Sequence, residues 1–136
     1  MRFMMLYKPG NESDTPPSPQ HVAEMSRFIE EMAREGVLLS TDGLQPSSKG
    51  SRVRITDGKF TVIDGPFTET KELVAGFWLW QVRSKEEAIE WLKRAPFRAG
   101  EVEIRQVFEA EDFGAEFTPE LREQEERLRE KITAKK

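Results

Sequence analysis

The chain is 136 residues long, with no cysteine, a single histidine and a formal net charge of −4. That length is one domain's worth and buries a core without a covalent or metal staple. With no thiol there is no disulfide, cysteine nucleophile or thiolate-held cluster; His21 alone cannot make a multi-histidine metal site; and the acidic balance argues against nucleic acid as the main ligand.

The first element is a strand over residues 2–8. Phe3, Met5 and Tyr7 fall on one face and Met4 and Leu6 on the other, so both faces are apolar and both call for cover. This run is too short for a secretory leader and Lys8-Pro9-Gly10 ends it without a small-residue cleavage site, so the expected location is cytoplasmic. No segment approaches the ~20 apolar residues of a spanning helix, and no membrane association is expected. Residues 9–17 are a loop by composition. Ser18-Pro19 then supplies an N-cap and a proline at the first helical position. Val22, Met25, Ile29, Met32 and Ala33 recur at helical spacing, with Phe28 beside them, and Gly36 stops a first helix of about 19–35.

Val37 to Ser40 reads as a short second strand, with 41–46 leading out of it and a flexible turn at 47–50. Two alternating runs, 52–56 and 59–63, are joined by Asp57-Gly58, the dipeptide that a type I′ hairpin turn favours. Asp64-Gly65-Pro66-Phe67 closes the hairpin. Residues 68–72 are polar, an irregular loop or single helical turn. Residues 76–83 form a strand, again apolar on both faces: Trp78 and Trp80 on one, Phe77 and Leu79 on the other. Ser84 and Glu87 make a capping box for a second helix, whose buried stripe is Ala88, Trp91, Leu92 and Ala95 and which Pro96 stops. Residues 101–108 are the last strand. Residues 109–117 are acidic, with Phe113 and Phe117, and Thr118-Pro119 starts a third helix to about Lys131. Its thin stripe, Leu121, Leu128 and Ile132, suits a surface position.

Without the hairpin the order is β-α-β-β-α-β, an α+β, ferredoxin-like antiparallel sheet with two helices on one face. The expected organisation is a domain over residues 1–108 and a charged extension with a helix over 109–136. The second apolar sheet face is best covered by the sheet of an identical chain, which makes a homodimer in the form of a dimeric α+β barrel.

Several segments in order resemble the YCII-related proteins of the DGPF subgroup: Asp64-Gly65-Pro66-Phe67 followed by Glu69, Lys71, Glu72 and Gly76-Phe77; the opening strand Phe3 to Tyr7; Gly43-Leu44-Gln45-Pro46; and the Asp57-Gly58 hairpin. The resemblance covers residues 1 to about 108. It implies the dimeric α+β barrel and leaves function largely unassigned. More distant members and other such barrels include small-molecule lyases, isomerases and dehydrochlorinases, and some DGPF proteins are linked with alternative sigma factors. The usual candidate site of the YCII branch is a His–Asp pair; His21, at the start of the first helix, is not matched to that histidine.

Asp64 is the sharpest candidate for chemistry. It closes a strand carrying Phe60, Val62 and Ile63, and a carboxylate there beside a hydrophobic cavity can act as general base. Alternatively it accepts backbone hydrogen bonds and holds the Gly-Pro corner. Lys71 can hold an anionic substrate or oxyanion and Glu69 or Glu72 can shuttle protons, or the cluster is a solvated loop. His21 reads as an exposed surface residue, and Arg52 and Arg54 as the wet side of the hairpin. Trp78, Trp80 and Phe77 either line an aromatic pocket or pack core and dimer. No phosphate-binding glycine loop, nucleophile elbow or metal-ligand spacing is present, so no cofactor or metal is expected.

The functional expectation is cofactor-free proton transfer, lyase or isomerase work, on a small aromatic or anionic compound. Asp64 serves as base, Lys71 as electrostatic partner and Glu69 as proton shuttle. The alternative is a non-catalytic ligand-binding or protein-interaction module, tied to a sigma factor, with the C-terminal helix as contact surface.

Overall fold

The computed structural model describes every residue except Asp14, Lys135 and Lys136. In chain order the elements are β1 (Arg2–Lys8), α1 (Pro19–Arg34), β2 (Leu38–Gly43), β3 (Ser51–Thr56), β4 (Lys59–Asp64), β5 (Gly76–Gln81), α2 (Lys85–Leu92), β6 (Glu101–Gln106) and α3 (Pro119–Ala134). Single 3₁₀ turns occupy Ser47–Lys49 and Thr70–Glu72, and a longer 3₁₀ stretch spans Ala110–Glu116. No helix among the described residues is long and apolar enough to cross a membrane.

Four strands form one antiparallel sheet in the order β2-β5-β1-β6. The fold is α+β, with the ferredoxin-like order expected for β-α-β-β-α-β. Phe3 pairs with Trp80 and Met5 with Trp78, so these four side chains share one face. Phe28 and Met32 of α1 and Ala88 of α2 pack on them to form the core. Phe3, Met5, Met32 and Trp80 are almost fully buried, and burial of a side chain of that size contributes about 1.5–3 kcal/mol. The Phe28 ring stands edge-on to Trp78 at 5.4 Å, while Trp78 and Trp80 stack at 5.2 Å.

Both helix starts follow from their caps. Ser18 Oγ accepts from the His21 backbone N–H and Ser84 Oγ from that of Glu87, each at 3.1 Å. Gly36, at φ 74°, supplies the left-handed residue just past α1.

The other sheet face carries Met4 opposite Leu79 and Leu6 opposite Phe77, all partly buried. Charge sits beside them. Lys8 Nζ donates to Glu103 Oε1 at 2.7 Å and lies 3.6 Å from Glu72, and Arg105 Nη1 meets Glu103 Oε2 at 3.1 Å.

The hairpin forms its own two-stranded sheet, turning through Asp57 (φ 50°) and Gly58 (φ 78°), both left-handed as a type I′ turn requires. Val53 pairs with Val62 and Ile55 with Phe60, and this apolar face is open: Phe60 is 68% and Val62 64% exposed. The hydrophobic surroundings expected around the end of β4 are therefore not built by these side chains.

Several boundaries differ from the sequence reading. β2 continues through Thr41-Asp42-Gly43 because these pair with Trp78, Phe77 and Gly76 of β5. β6 ends at Gln106 rather than Phe108, where its pairing with β1 ends at Phe3. α2 ends at Leu92, four residues before Pro96, where the backbone tightens: Arg94 N–H donates to the Trp91 carbonyl and Ala95 N–H to that of Leu92, each at 3.0 Å.

The chain divides into two compact units, Met1–Gln106 and the residues from Val107 onward. In the second, Glu109 and Asp112 cap the 3₁₀ stretch reciprocally, and the rings of Phe108, Phe113 and Phe117 follow one another at 5.1 Å. Thr118 Oγ1 accepts from Leu121 N–H at the start of α3, and Leu121, Leu128 and Ile132 are exposed.

Candidate functional site

Across the four-stranded sheet, Gly43, Gly76, Tyr7 and Val102 lie in one row. The first two lack side chains, so the sheet leaves space at that end of its helix-covered face. A cavity of about 650 Å³ opens there, lined by Met5, Tyr7, Trp78 and Val102 of the sheet, Met25 and Ile29 of α1, and Phe97. Tyr7 and Phe97 stack at 4.1 Å and Phe97 continues onto Trp78 at 5.4 Å, so one wall is aromatic.

Polar groups reach this half-open, largely apolar cavity from α1, β1, β2 and the loop before α1. His21, in the first turn of α1, is partly buried and lines it. Thr41 lines it from β2 and donates its hydroxyl to the Phe77 carbonyl at 2.9 Å, which leaves its oxygen free to accept. The Tyr7 hydroxyl donates to the Ala99 carbonyl at 3.3 Å, and burial raises its pKa, so the phenol stays neutral. Asn11, Glu12, Ser13 and Thr15 line the cavity from the loop between β1 and α1.

That loop is held from a distance. The Glu12 carboxylate accepts from the Ser47 backbone N–H at 2.6 Å and from its hydroxyl at 2.5 Å. Ser47 Oγ in turn accepts from Phe67 N–H at 3.1 Å, and Gly65 N–H donates to the Gly50 carbonyl at 3.0 Å. The Asp64–Phe67 corner, the turn at Ser47 and the cavity loop thus form one braced unit. A Cβ on Gly65 would overlap the Ser47 carbonyl, which explains glycine at that position.

The carboxylate singled out from sequence sits elsewhere. Asp64 ends β4 opposite Ser51, is exposed, and accepts from Ser51 Oγ at 2.6 Å. Glu69 lies 3.8 Å from Arg52, whose guanidinium rests 3.8 Å above the Phe67 ring. Lys71 is exposed in the 3₁₀ turn. None of Asp64, Glu69 and Lys71 lines the cavity. Among the described residues no group of three or more His, Asp or Glu is placed to hold a metal ion.

His21, read from sequence as an exposed surface residue, is half-buried and is one of the titratable groups that the fold brings to the cavity, with Tyr7 and Glu12. The signal was present: His21, Met25, Phe28 and Met32 follow at spacings of four, three and four, one face of a helix. The buried side of α1 is this row together with Ile29, whereas Val22 is 49% exposed. Glu12 had no local signal, because its partner lies 35 residues away.

Residues 1–111 match the model of the YCII-related domain. An uncharacterised protein of Rhizobium meliloti (strain 1021) is similar, 32% identical over 85 residues that cover 60% of this chain and 68% of the relative.

Proposed function

Because the chain belongs to the YCII-related family, whose relative here carries no assigned activity, we propose from its own geometry that it binds a small, largely apolar molecule between α1 and the sheet and transfers a proton on it without a cofactor. The observation that carries this reading is the roughly 650 Å³ cavity with an aromatic wall and His21 in its lining. Enclosures of this size and composition, with a few convergent polar groups, are the usual form of a small-molecule site. An imidazole nitrogen can accept a proton and give it back, so His21, which lines the cavity, is proposed as the base, in place of Asp64. It removes a proton from a carbon or oxygen of the bound molecule and returns it to another atom of that molecule or to a leaving group, as isomerases and lyases do. Thr41 is proposed to donate to or accept from the polar end of the ligand. Asp64 is proposed to brace the base of the hairpin through Ser51, and Glu69 and Lys71 to lie on the solvated loop that follows.

The open sheet face with Met4, Leu6, Phe77 and Leu79 supports a second proposal, a homodimer closed over that face.

The test is a panel of small aromatic compounds screened by thermal shift, with each hit followed in D₂O by NMR for exchange of a carbon-bound proton. His21→Asn should retain binding and lose exchange by about 10²-fold or more, and Asp64→Asn should lose neither. Exchange undiminished in His21→Asn would remove His21 from the mechanism. Hits that bind with no exchange in the unaltered protein would replace catalysis by ligand binding alone.

A further inference from the structure

Two hydroxyls reach the cavity from the sheet, those of Thr41 and Tyr7. Thr41 lies opposite Trp78 and Trp78 opposite Met5, so the Thr41 side chain stands on the helix-covered face where the cavity opens. Each hydroxyl has committed its single hydrogen to a backbone carbonyl, Thr41 to Phe77 at 2.9 Å and Tyr7 to Ala99 at 3.3 Å. The Thr41 bond is the shorter and is partly buried, whereas that of Tyr7 is exposed. A hydroxyl whose hydrogen is engaged presents only lone pairs. A β-branched side chain is stiff at χ1, so this oxygen has a fixed place. Around it on the same face Gly43, Gly76 and Val102 carry no polar side-chain atom. A ring laid against the wall of Tyr7, Phe97 and Trp78 covers the Thr41 oxygen. Once covered, that oxygen needs a donor from the ligand; a ligand that brings another acceptor leaves it stranded.

Resting on the ligand-binding reading above, we propose that the cavity selects aromatic molecules carrying a neutral N–H or O–H donor on the ring, and that Thr41 is the specificity-determining residue that accepts from it. Sequence gave Thr41 no such role, because its composition is that of a turn; the pairing of β2 with β5 is what turns its side chain toward the cavity.

The experiment titrates the full chain with indole and benzofuran, which share a shape and differ in one ring position, an N–H in the first and an ether oxygen in the second. Binding is followed by NMR through the Hε1 resonance of His21, the sole histidine and part of the cavity lining. Indole should bind about three- to ten-fold more tightly than benzofuran, the worth of one neutral hydrogen bond. Thr41→Val and Thr41→Ala both remove the oxygen, the first keeping the branched shape, and each should bring the ratio close to one while benzofuran still binds. Thr41→Ser keeps the hydroxyl and should keep the preference. Benzofuran binding as tightly as indole to the unaltered protein overturns the donor selection. A ratio that Thr41→Val and Thr41→Ala leave unchanged overturns the assignment to Thr41. If neither compound shifts the His21 resonance at millimolar concentration, the ligand-binding reading itself is overturned.

Discussion

Substituting Gly65 by alanine tests whether the Asp64–Phe67 corner is the brace for the cavity loop. The backbone at Gly65 is not left-handed, so the effect is steric rather than conformational. The added Cβ would overlap the Ser47 carbonyl oxygen and stand 2.7 Å from its carbonyl carbon, and neither atom belongs to a flexible side chain that can swing away. Relief requires the corner and the Ser47 turn to separate. That puts at risk the Gly65–Gly50 and Phe67–Ser47 hydrogen bonds, about 1 kcal/mol each, on top of an overpacking cost of about 1–3 kcal/mol. The reduced freedom of the unfolded chain returns about 0.4–1 kcal/mol. The expected net loss is about 2–4.5 kcal/mol, which for a chain of this length lowers Tm by roughly 8–18 °C. Gly50→Ala is the matched control, because its Cβ would sit 3.6 Å from the same Ser47 oxygen, an ordinary contact. Thermal and urea unfolding of both variants, read by circular dichroism, decides the matter. A Gly65→Ala protein that melts within about 2 °C of the unaltered chain, or no lower than Gly50→Ala, refutes the bracing argument.

Light scattering after size exclusion should give about twice the 15.7 kDa chain mass at micromolar concentration, and a clean monomer mass would end the proposal that a second copy covers the open sheet face. Hydrogen bonds from Lys8, then from Arg105, lower the Glu103 pKa below its ordinary 4.5, and the bond to Glu103 raises that of Lys8 above 10.5. The Glu103 contribution to stability is therefore present above about pH 4.5 and disappears as pH falls through the lowered value; that of Lys8 is present below about 10.5 and disappears as pH rises through the raised one. Melting curves from pH 3 to 7 should show a shallower acid limb in Glu103→Gln than in the unaltered protein, and parallel limbs would contradict the assignment. Asp64→Asn keeps an oxygen for Ser51 and should cost less than about 0.5 kcal/mol in urea unfolding, whereas Asp64→Ala removes the acceptor and should cost about 0.5–1 kcal/mol at this exposed position; equal losses in both would show that the bond contributes nothing.

The elements that depend on local rules were legible in the sequence. Ser18 and Ser84 cap their helices as their positions promised, Asp57-Gly58 turns the hairpin, and the Trp78/Trp80 alternation marks the core face of β5. What depended on distant pairing was not. Thr41-Asp42-Gly43 has the composition of a turn, yet β5 recruits it as strand. The apolar residues of β4 suggested a buried neighbour for Asp64, but alternation says only that Phe60 and Val62 share a face, not that anything covers it. The cavity itself comes from a glycine row spread over two strands and from a loop pinned by Glu12 to Ser47, and neither leaves a periodic trace. The helix-start position of His21 suggests exposure, whereas its spacing to Met25 and Phe28 places it half-buried in the cavity lining.

The two-stranded ribbon raises a different issue, that of self-association through strand edges. β3 and β4 pair only with each other, so each leaves one edge of the ribbon unpaired, and Val53, Ile55, Phe60 and Val62 are β-prone residues on an exposed face. Arg52, Arg54 and Lys59 alternate with them along the same two strands. A second ribbon adding to either edge has to bring like charges alongside one another. Cations at such positions oppose β-aggregation, so an Arg54→Thr protein, which spares the Arg52 contacts with Glu69 and Phe67, is expected to aggregate more readily than the unaltered chain.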